Sequence, residues 1–202
     1  MTRPLMTRPR LILLLIVVLA LLVGLGAWLG HRSGSGLSLA APPQGGDFTL
    51  LSAQGPVSTQ AFRGKVVVVY FGYTYCPDIC PTSLATLGAA LGQLSPAELA
   101  QVQPLFVSVD PQRDTPARLK EYAAFFHPKL IGLTGSPQTL AAAAKAYGAS
   151  YSFQPADARG NYVVDHSAFT YLVDTQGRLA DTLPHGASPE DTAAAIRRLL
   201  PH

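Results

Sequence analysis

Two cysteines, Cys76 and Cys80, stand three residues apart in YFGYTYCPDICPTSL, residues 70–84, and the 202-residue chain has no others. Such a pair can be a structural disulfide, a redox couple or part of a metal site. One helical turn brings residues four apart onto one face, with about 6 Å between neighbours. A disulfide needs about 4.4–6.8 Å between Cα atoms, and the same spacing lets two sulfurs converge on one metal. Geometry alone therefore leaves the redox pair and the chelate open. Pro81 is expected to open the regular helix, with Cys76 to Cys80 in a tight turn leading into it, and the helix N-terminus lowers a nearby thiol pKa and favours the thiolate. The thiolate is the species that both attacks and ligates.

The surrounding pattern removes some alternatives. The spacer Pro77-Asp78-Ile79 is one residue longer than in a C-x-x-C exchange motif. A peroxidatic cysteine in a P-x-x-x-T/S-x-x-C context is disfavoured, because the matching positions are Val69 and Tyr73 before Cys76, and Tyr73 and Pro77 before Cys80. A structural staple is disfavoured as well. So small a loop removes little unfolded-state entropy, and disulfide scaffolds are small and cysteine-dense, whereas this chain is long enough to bury its own core.

Two thiolates and a neutral imidazole make a soft site. Sulfur selects Cu(I), and imidazole also suits Cu(II). Structural zinc takes four protein ligands, and no fourth is evident. Of the five histidines, His31 falls in a tether and His202 ends the chain. His127 closes a helix as a cation at its negative end, and His185 sits in a surface turn. His166, in VVDHSAF, lies where one strand candidate meets the next. On residue type alone it is a structural or surface imidazole more readily than a ligand.

Asp78 reads as a first-turn carboxylate favoured by the helix dipole, or as a weak axial ligand or docking contact. Asp110 and Asp114, in DPQRDTP, read first as a turn and a helix cap, and their position after a strand on the cysteine side also permits partner docking. Tyr73 and Tyr75 are expected to pack around the site and control solvent access. Both methionines, Met1 and Met6, precede the domain, which excludes thioether-rich copper binding within it.

The elements that must position these groups follow an α/β order. Residues 48–58 read as a short hairpin around Gln54-Gly55. KVVVVYFGY, residues 65–73, is a β-branched and aromatic run of the kind buried on both faces of a sheet. SLATLGAALGQL, residues 83–94, is a helix with Leu84, Leu87, Leu91 and Leu94 on one face. Gly88 and Gly92 cost it about 1 kcal/mol each relative to Ala, so close packing is expected there. PLFVSVD, residues 104–110, is a second buried strand. Thr115-Pro116 and Ser136-Pro137 each cap a helix. A strand at residues 131–133 separates these helices, and Gly148 stops the second. YSFQ and YVVDH are short strands. AFTYLVD and RLADTL form a hairpin, and Ser188 caps a last helix with Arg197 and Arg198 near its end. The layout is a mixed sheet with helices on both faces. Ligands in such sheets bind beyond the C-terminal ends of parallel strands, where both cysteines fall.

The N-terminus carries a different signal. Residues 11–30, LILLLIVVLALLVGLGAWLG, hold no charge, and twenty helical residues rise about 30 Å, the thickness of a bilayer core. Arg3, Arg8 and Arg10 precede the run, so the positive-inside rule leaves residues 1–10 in the cytoplasm and exports the rest. Trp28 suits an interfacial anchor. A cleaved signal peptide, with a site near Ser38-Leu39-Ala40, is the alternative, but its apolar region is usually about 7–15 residues. The expected organisation is a cytoplasmic segment 1–10, a transmembrane anchor 11–30, a Gly/Ser/Pro-rich tether 31–46 and a domain 47–202, single-pass in a bacterial inner membrane with the domain in the periplasm.

The formal charge of +3 arises at the N-terminus. Without Arg3, Arg8, Arg10 and Arg32, residues 33–202 carry eleven basic and twelve acidic side chains, a net −1. No basic run interleaves with aromatics, so nucleic acid is not an expected partner.

Three segments in order, FGYTYCPDICPTSL, FVSVDPQRDTPARLKEY and VVDHSAFTYLVD, resemble the Sco/SenC family of copper proteins, and the resemblance runs from about Asp47 to the last helix. It implies a thioredoxin-like fold and copper, Cu(I) or Cu(II), held by Cys76, Cys80 and His166. It implies a metallochaperone that assists assembly of the CuA centre of cytochrome c oxidase. The implied partners are the copper-bearing subunit of that oxidase, other periplasmic copper chaperones and thiol reductases. The alternative role is a thiol–disulfide oxidoreductase that keeps the oxidase's copper-site cysteines reduced. In that role His166 is dispensable.

Overall fold

The computed structural model describes residues 8–32 and 43–201, and the chain divides into an N-terminal unit, Met1–Ala41, and a second unit, Pro42–His202. The first contains one helix, α1 (Arg8–Arg32). His31, expected in the tether, falls in the last turn of this helix. The remainder of the expected tether up to residue 42, and His202, lie outside the described residues. Among the described residues no helix is long and apolar enough to cross a membrane.

In the second unit the uninterrupted apolar run becomes β3 (Val66–Gly72), and every one of its residues is buried. It follows the hairpin β1 (Thr49–Ser52) and β2 (Gly55–Ser58). β3 lies parallel to β4 (Val102–Ser108), which is parallel to β5 (Ile131–Leu133). On its other side β3 is antiparallel to β8 (Thr170–Val173), and β8 to β9 (Leu179–Leu183). The central sheet therefore has five strands in the order β5-β4-β3-β8-β9, a mixed sheet of thioredoxin-like form. The two short strands β6 (Tyr151–Phe153) and β7 (Val164–His166) do not join it. They pair antiparallel with each other, with Tyr151 opposite His166.

The helices are α2 (Ile79–Gly92), α3 (Pro96–Ala100), α4 (Pro116–Phe126), α5 (Pro137–Tyr147) and α6 (Pro189–Leu199). Thr115, Ser136 and Ser188 accept backbone N–H bonds at the starts of α4, α5 and α6, as expected of Ser/Thr before proline. Gly88 is explained by close packing, since a Cβ there would sit 2.6 Å from the carbonyl oxygen of Phe126. Gly92 is not, because its surroundings are open. Arg197 and Arg198 do more than face a helix dipole: they pair with Glu98 and Asp181 at 2.9 and 3.2 Å.

The domain body begins slightly before Asp47. Gly45 N–H donates to the carbonyl of Ala146, and Leu179 N–H to that of Gln44. Those bonds pin the entering chain to the end of α5 and the start of β9.

Candidate metal centre

The parallel strands β3 and β4 end side by side, and Val109 N–H donates to the carbonyl of Gly72 at 2.9 Å. Beyond that point the chain turns through residues 73–78 into α2. The helix opens at Ile79, so Cys80 lies inside its first turn rather than before it, and Pro81 follows within that turn. Asp78 occupies the N-cap position but makes no side-chain capping bond. Instead the Sγ of Cys76 accepts the N–H of Cys80 at 3.4 Å. A sulfur thus satisfies one of the free N–H groups at the positive end of the helix.

Cys80 is fully buried and Cys76 half-buried, and both are free thiols in the structure. Their acidities move in opposite directions. Hydrogen bonding from Cys80, against the cost of burial and helped by the N–H groups at the start of α2, brings Cys76 down to about 4. The bond to Cys76, together with burial, pushes Cys80 up. The pair shares one proton, and the thiolate sits at Cys76, where the helix N-terminus and partial solvent exposure stabilise it.

β7 delivers His166 from the other side. Its Nδ1 lies 3.1 Å from the carbonyl oxygen of Ser167. A carbonyl only accepts, so Nδ1 carries the proton and Nε2 presents its lone pair. That lone pair faces the Sγ of Cys80 at 3.2 Å. Two rings stand edge-on to the imidazole: Tyr73 at 5.8 Å and Tyr70 at 6.2 Å between centroids. The ligand atoms of Cys76, Cys80 and His166 all lie within 4.8 Å of one another.

Gly72 makes room for this arrangement. A Cβ on it would come within 2.6 Å of the Cys80 sulfur. A groove of about 300 Å³, lined by Cys76, Asp78, Ile79, Val163 and His166 among others, gives access from outside.

The remaining residues singled out in the sequence fall into place differently. Asp78 is exposed and accepts the Thr82 hydroxyl at 3.3 Å; it is not among the clustered ligand atoms of the described residues. Asp110 and Asp114 are not a simple turn and cap. Both are fully buried, and Thr115 is the cap. Asp114 accepts from Thr74 N–H at 2.8 Å, the Thr74 hydroxyl at 2.5 Å and the Ser108 hydroxyl at 2.6 Å. It ties the cysteine turn to the end of β4. Asp110 accepts from Arg113 Nε and from the Tyr162 hydroxyl. Tyr73 is buried beside the site, whereas Tyr75 is half exposed and faces Arg113 and Arg118.

His127 does not act as a cationic cap: its Nδ1 accepts the Lys129 N–H at 3.1 Å, and burial lowers its pKa. His185 meets the Ser83 hydroxyl at 3.1 Å, one turn along α2 from Cys80. Nothing in residue spacing announced that contact. The contacts of Arg113 with Asp110 and Tyr75 were equally hidden, although it stands inside the DPQRDTP segment.

Known proteins resemble this chain over most of its length. The SCO1/SenC family model matches residues 38–201. A mitochondrial SCO2 homologue of Bos taurus is 42% identical over 185 residues, 86% of this chain and 69% of its own. A SCO2-like protein of Rickettsia conorii is 35% identical over 200 residues, 91% of this chain and 95% of its own. Among solved structures, Bradyrhizobium japonicum ScoI with copper bound superposes with a TM-score of 0.70 at 38% identity, covering 77% of this chain and 99% of that one.

Proposed function

The chain belongs to the SCO1/SenC family, and from that premise we propose that it is a membrane-anchored copper chaperone for the assembly of cytochrome c oxidase. Copper is its cargo, and Cys76, Cys80 and His166 are the ligands. One observation carries the reading: two sulfurs and an imidazole nitrogen, supplied by α2's entry and by β7, converge within 4.8 Å. The donor set suits the ion. Cys76 already offers a thiolate, and the Ser167 carbonyl orients the His166 lone pair inward. Cys80 must release its proton when the metal enters. Three protein ligands beside an open groove leave an approach for an incoming acceptor ligand.

The destination we infer is the CuA centre on the oxidase's copper-bearing subunit, with other periplasmic copper chaperones or thiol reductases as further partners. The anchor belongs to the same reading. Its support is in the sequence: residues 11–30 are uncharged, and twenty helical residues would match the thickness of a bilayer core. Three arginines before the run, read by the positive-inside rule, support a domain exported to the periplasm of a bacterial inner membrane.

A second reading rests on the same thiols. A half-buried Cys76 thiolate is the attacking species of thiol–disulfide exchange. It would displace one sulfur of a partner disulfide. Cys80, losing its proton to solvent, would then attack Cys76 and release the second partner thiol, leaving a Cys76–Cys80 disulfide. His166→Ala separates the two roles. Copper affinity of the reduced protein, measured against a competing chelator, falls steeply if the chaperone reading holds. Unchanged affinity with intact thiol exchange would replace it with the second.

A further inference from the structure

We infer that Arg113 is the positioning residue that holds the His166 hairpin against the cysteine turn, and so sets the third ligand of the copper site. The inference rests on the copper reading for its consequence and on geometry for its substance. Arg113 sits in the loop after β4, and its side chain is 19% exposed. It reaches three segments at once. Its Nε donates to the buried carboxylate of Asp110 at 2.5 Å. Its Nη1 donates to the backbone carbonyl of Tyr162 at 2.8 Å. Its guanidinium lies over the Tyr162 ring at 3.6 Å, with Tyr75 at 4.8 Å and Tyr73 at 5.5 Å.

Tyr162 is held at three points: its carbonyl by Arg113, its ring face by the same guanidinium, and its hydroxyl by Asp110 at 2.9 Å. Two residues later β7 begins, and it ends on His166. β7 pairs with β6 and not with the central sheet, so the sheet's hydrogen bonds do not fix its distance from Cys80. Tyr73 and Tyr75, which lead into Cys76 in the chain, meet the same guanidinium. A planar, always-charged group is needed here, since lysine can neither stack on Tyr162 nor bridge Asp110 and a carbonyl in one plane.

The test uses the full-length reduced chain carrying Arg113→Lys or, as a second approach to the same clamp, Tyr162→Leu. In the metal-free protein, the ¹⁵N resonances of the His166 ring should report one tautomer protonated at Nδ1. In the variants they should broaden or move toward averaged values. Ring resonances unchanged in both variants overturn the inference. Copper affinity, read with a competing chelator, should fall about tenfold in Arg113→Lys, the lower end of what outer-sphere partners of metal ligands contribute. Placed on a His166→Ala background, the same substitution should cost nothing further. An equal loss on both backgrounds overturns the inference, because Arg113 then acts on the thiols or the fold at large. If His166→Ala itself leaves copper affinity unchanged, the copper reading fails, and the imidazole spectrum still decides the role of Arg113.

Discussion

The Sγ of Cys80 lies 3.2 Å from the Nε2 of His166 across 86 residues of sequence. Because the Ser167 carbonyl keeps the proton on Nδ1, Nε2 turns its lone pair toward the Cys80 sulfur, whose proton is shared with Cys76. A buried thiol held in that state is neutral beside its thiolate neighbour, and both lone-pair donors already point into one volume. The metal-free site is thus pre-organised by hydrogen bonds that the metal would replace.

Gly72 is a requirement of that contact. An added methyl would meet the Cys80 sulfur at 2.6 Å, with the Phe106 and Tyr70 rings each at 3.2 Å on its other sides. All three neighbours are buried, so none can swing away. Gly72→Ala is expected to cost about 1–3 kcal/mol of stability, as overpacking of a core does. It should also weaken copper binding by displacing Cys80. Thermal unfolding of the metal-free protein and chelator competition measure the two effects separately; wild-type values in both would refute the stated role.

The thiols should differ in their pH profiles. Cys76 is brought from an ordinary value of 9.0 down to about 4, chiefly by the hydrogen bond with Cys80. A lowered pKa means thiolate above that value, so its alkylation by iodoacetamide in the metal-free protein should be flat between about pH 6 and 8. It should decline only as pH approaches about 4. An unperturbed thiol would quicken about tenfold per pH unit over the same range. Cys80, buried and pushed up, should stay unmodified. Peptide mass spectrometry after timed pulses reads both residues.

Most of the framework was legible in the chain because local chemistry fixes it. The β-branched run before Gly72 is buried on both faces, and Ser or Thr before proline starts three helices. The helix α3 had a signal that sequence reading passed over: Ser95, then Pro96, then Glu98, which form a reciprocal capping box. Cys80's place inside α2 was misread because proline usually marks the start of a helix, although it is tolerated throughout the first turn. His166 could not be joined to the cysteines by spacing at all; the family resemblance alone pointed to it. Nor could the burial of Asp110 and Asp114 be read, since Asp in a Pro-containing turn has the same local pattern whether it faces water or accepts buried donors.

Asp114 gives a sharp contrast between two substitutions. Asp114→Ala strands the buried Thr74 N–H and Ser108 hydroxyl, and a loss of roughly 3–5 kcal/mol is expected, as for other buried charged groups that lose a partner. Asp114→Asn should be milder. Its carbonyl oxygen can keep both of those donors, and the Thr74 hydroxyl can turn to accept from the new amide. Arg118, at 3.8 Å and 46% exposed, adds little to either loss. Urea midpoints at unchanged m-value measure the pair, and equal losses would contradict this account.

Gly148 closes α5 in the left-handed region, with φ 68° and ψ 17°. Glycine enters that region freely, and a Cβ costs about 1–2 kcal/mol there. A Cβ here would also meet the Cγ of Pro43 at 2.7 Å, where the entering chain rests on the body. Two penalties therefore coincide, and two variants separate them. Asn is the non-glycine residue most at ease with positive φ, so Gly148→Asn carries mainly the contact with Pro43, whereas Gly148→Ala carries both. Gly148→Ala should lower the melting temperature by several degrees, since about 1 kcal/mol corresponds to roughly 2–4 °C in a chain of this size. Adding Pro43→Gly should recover the part due to the contact in each variant and leave the backbone part in Gly148→Ala. No recovery in either would show that Pro43 yields freely and that the backbone conformation alone requires the glycine.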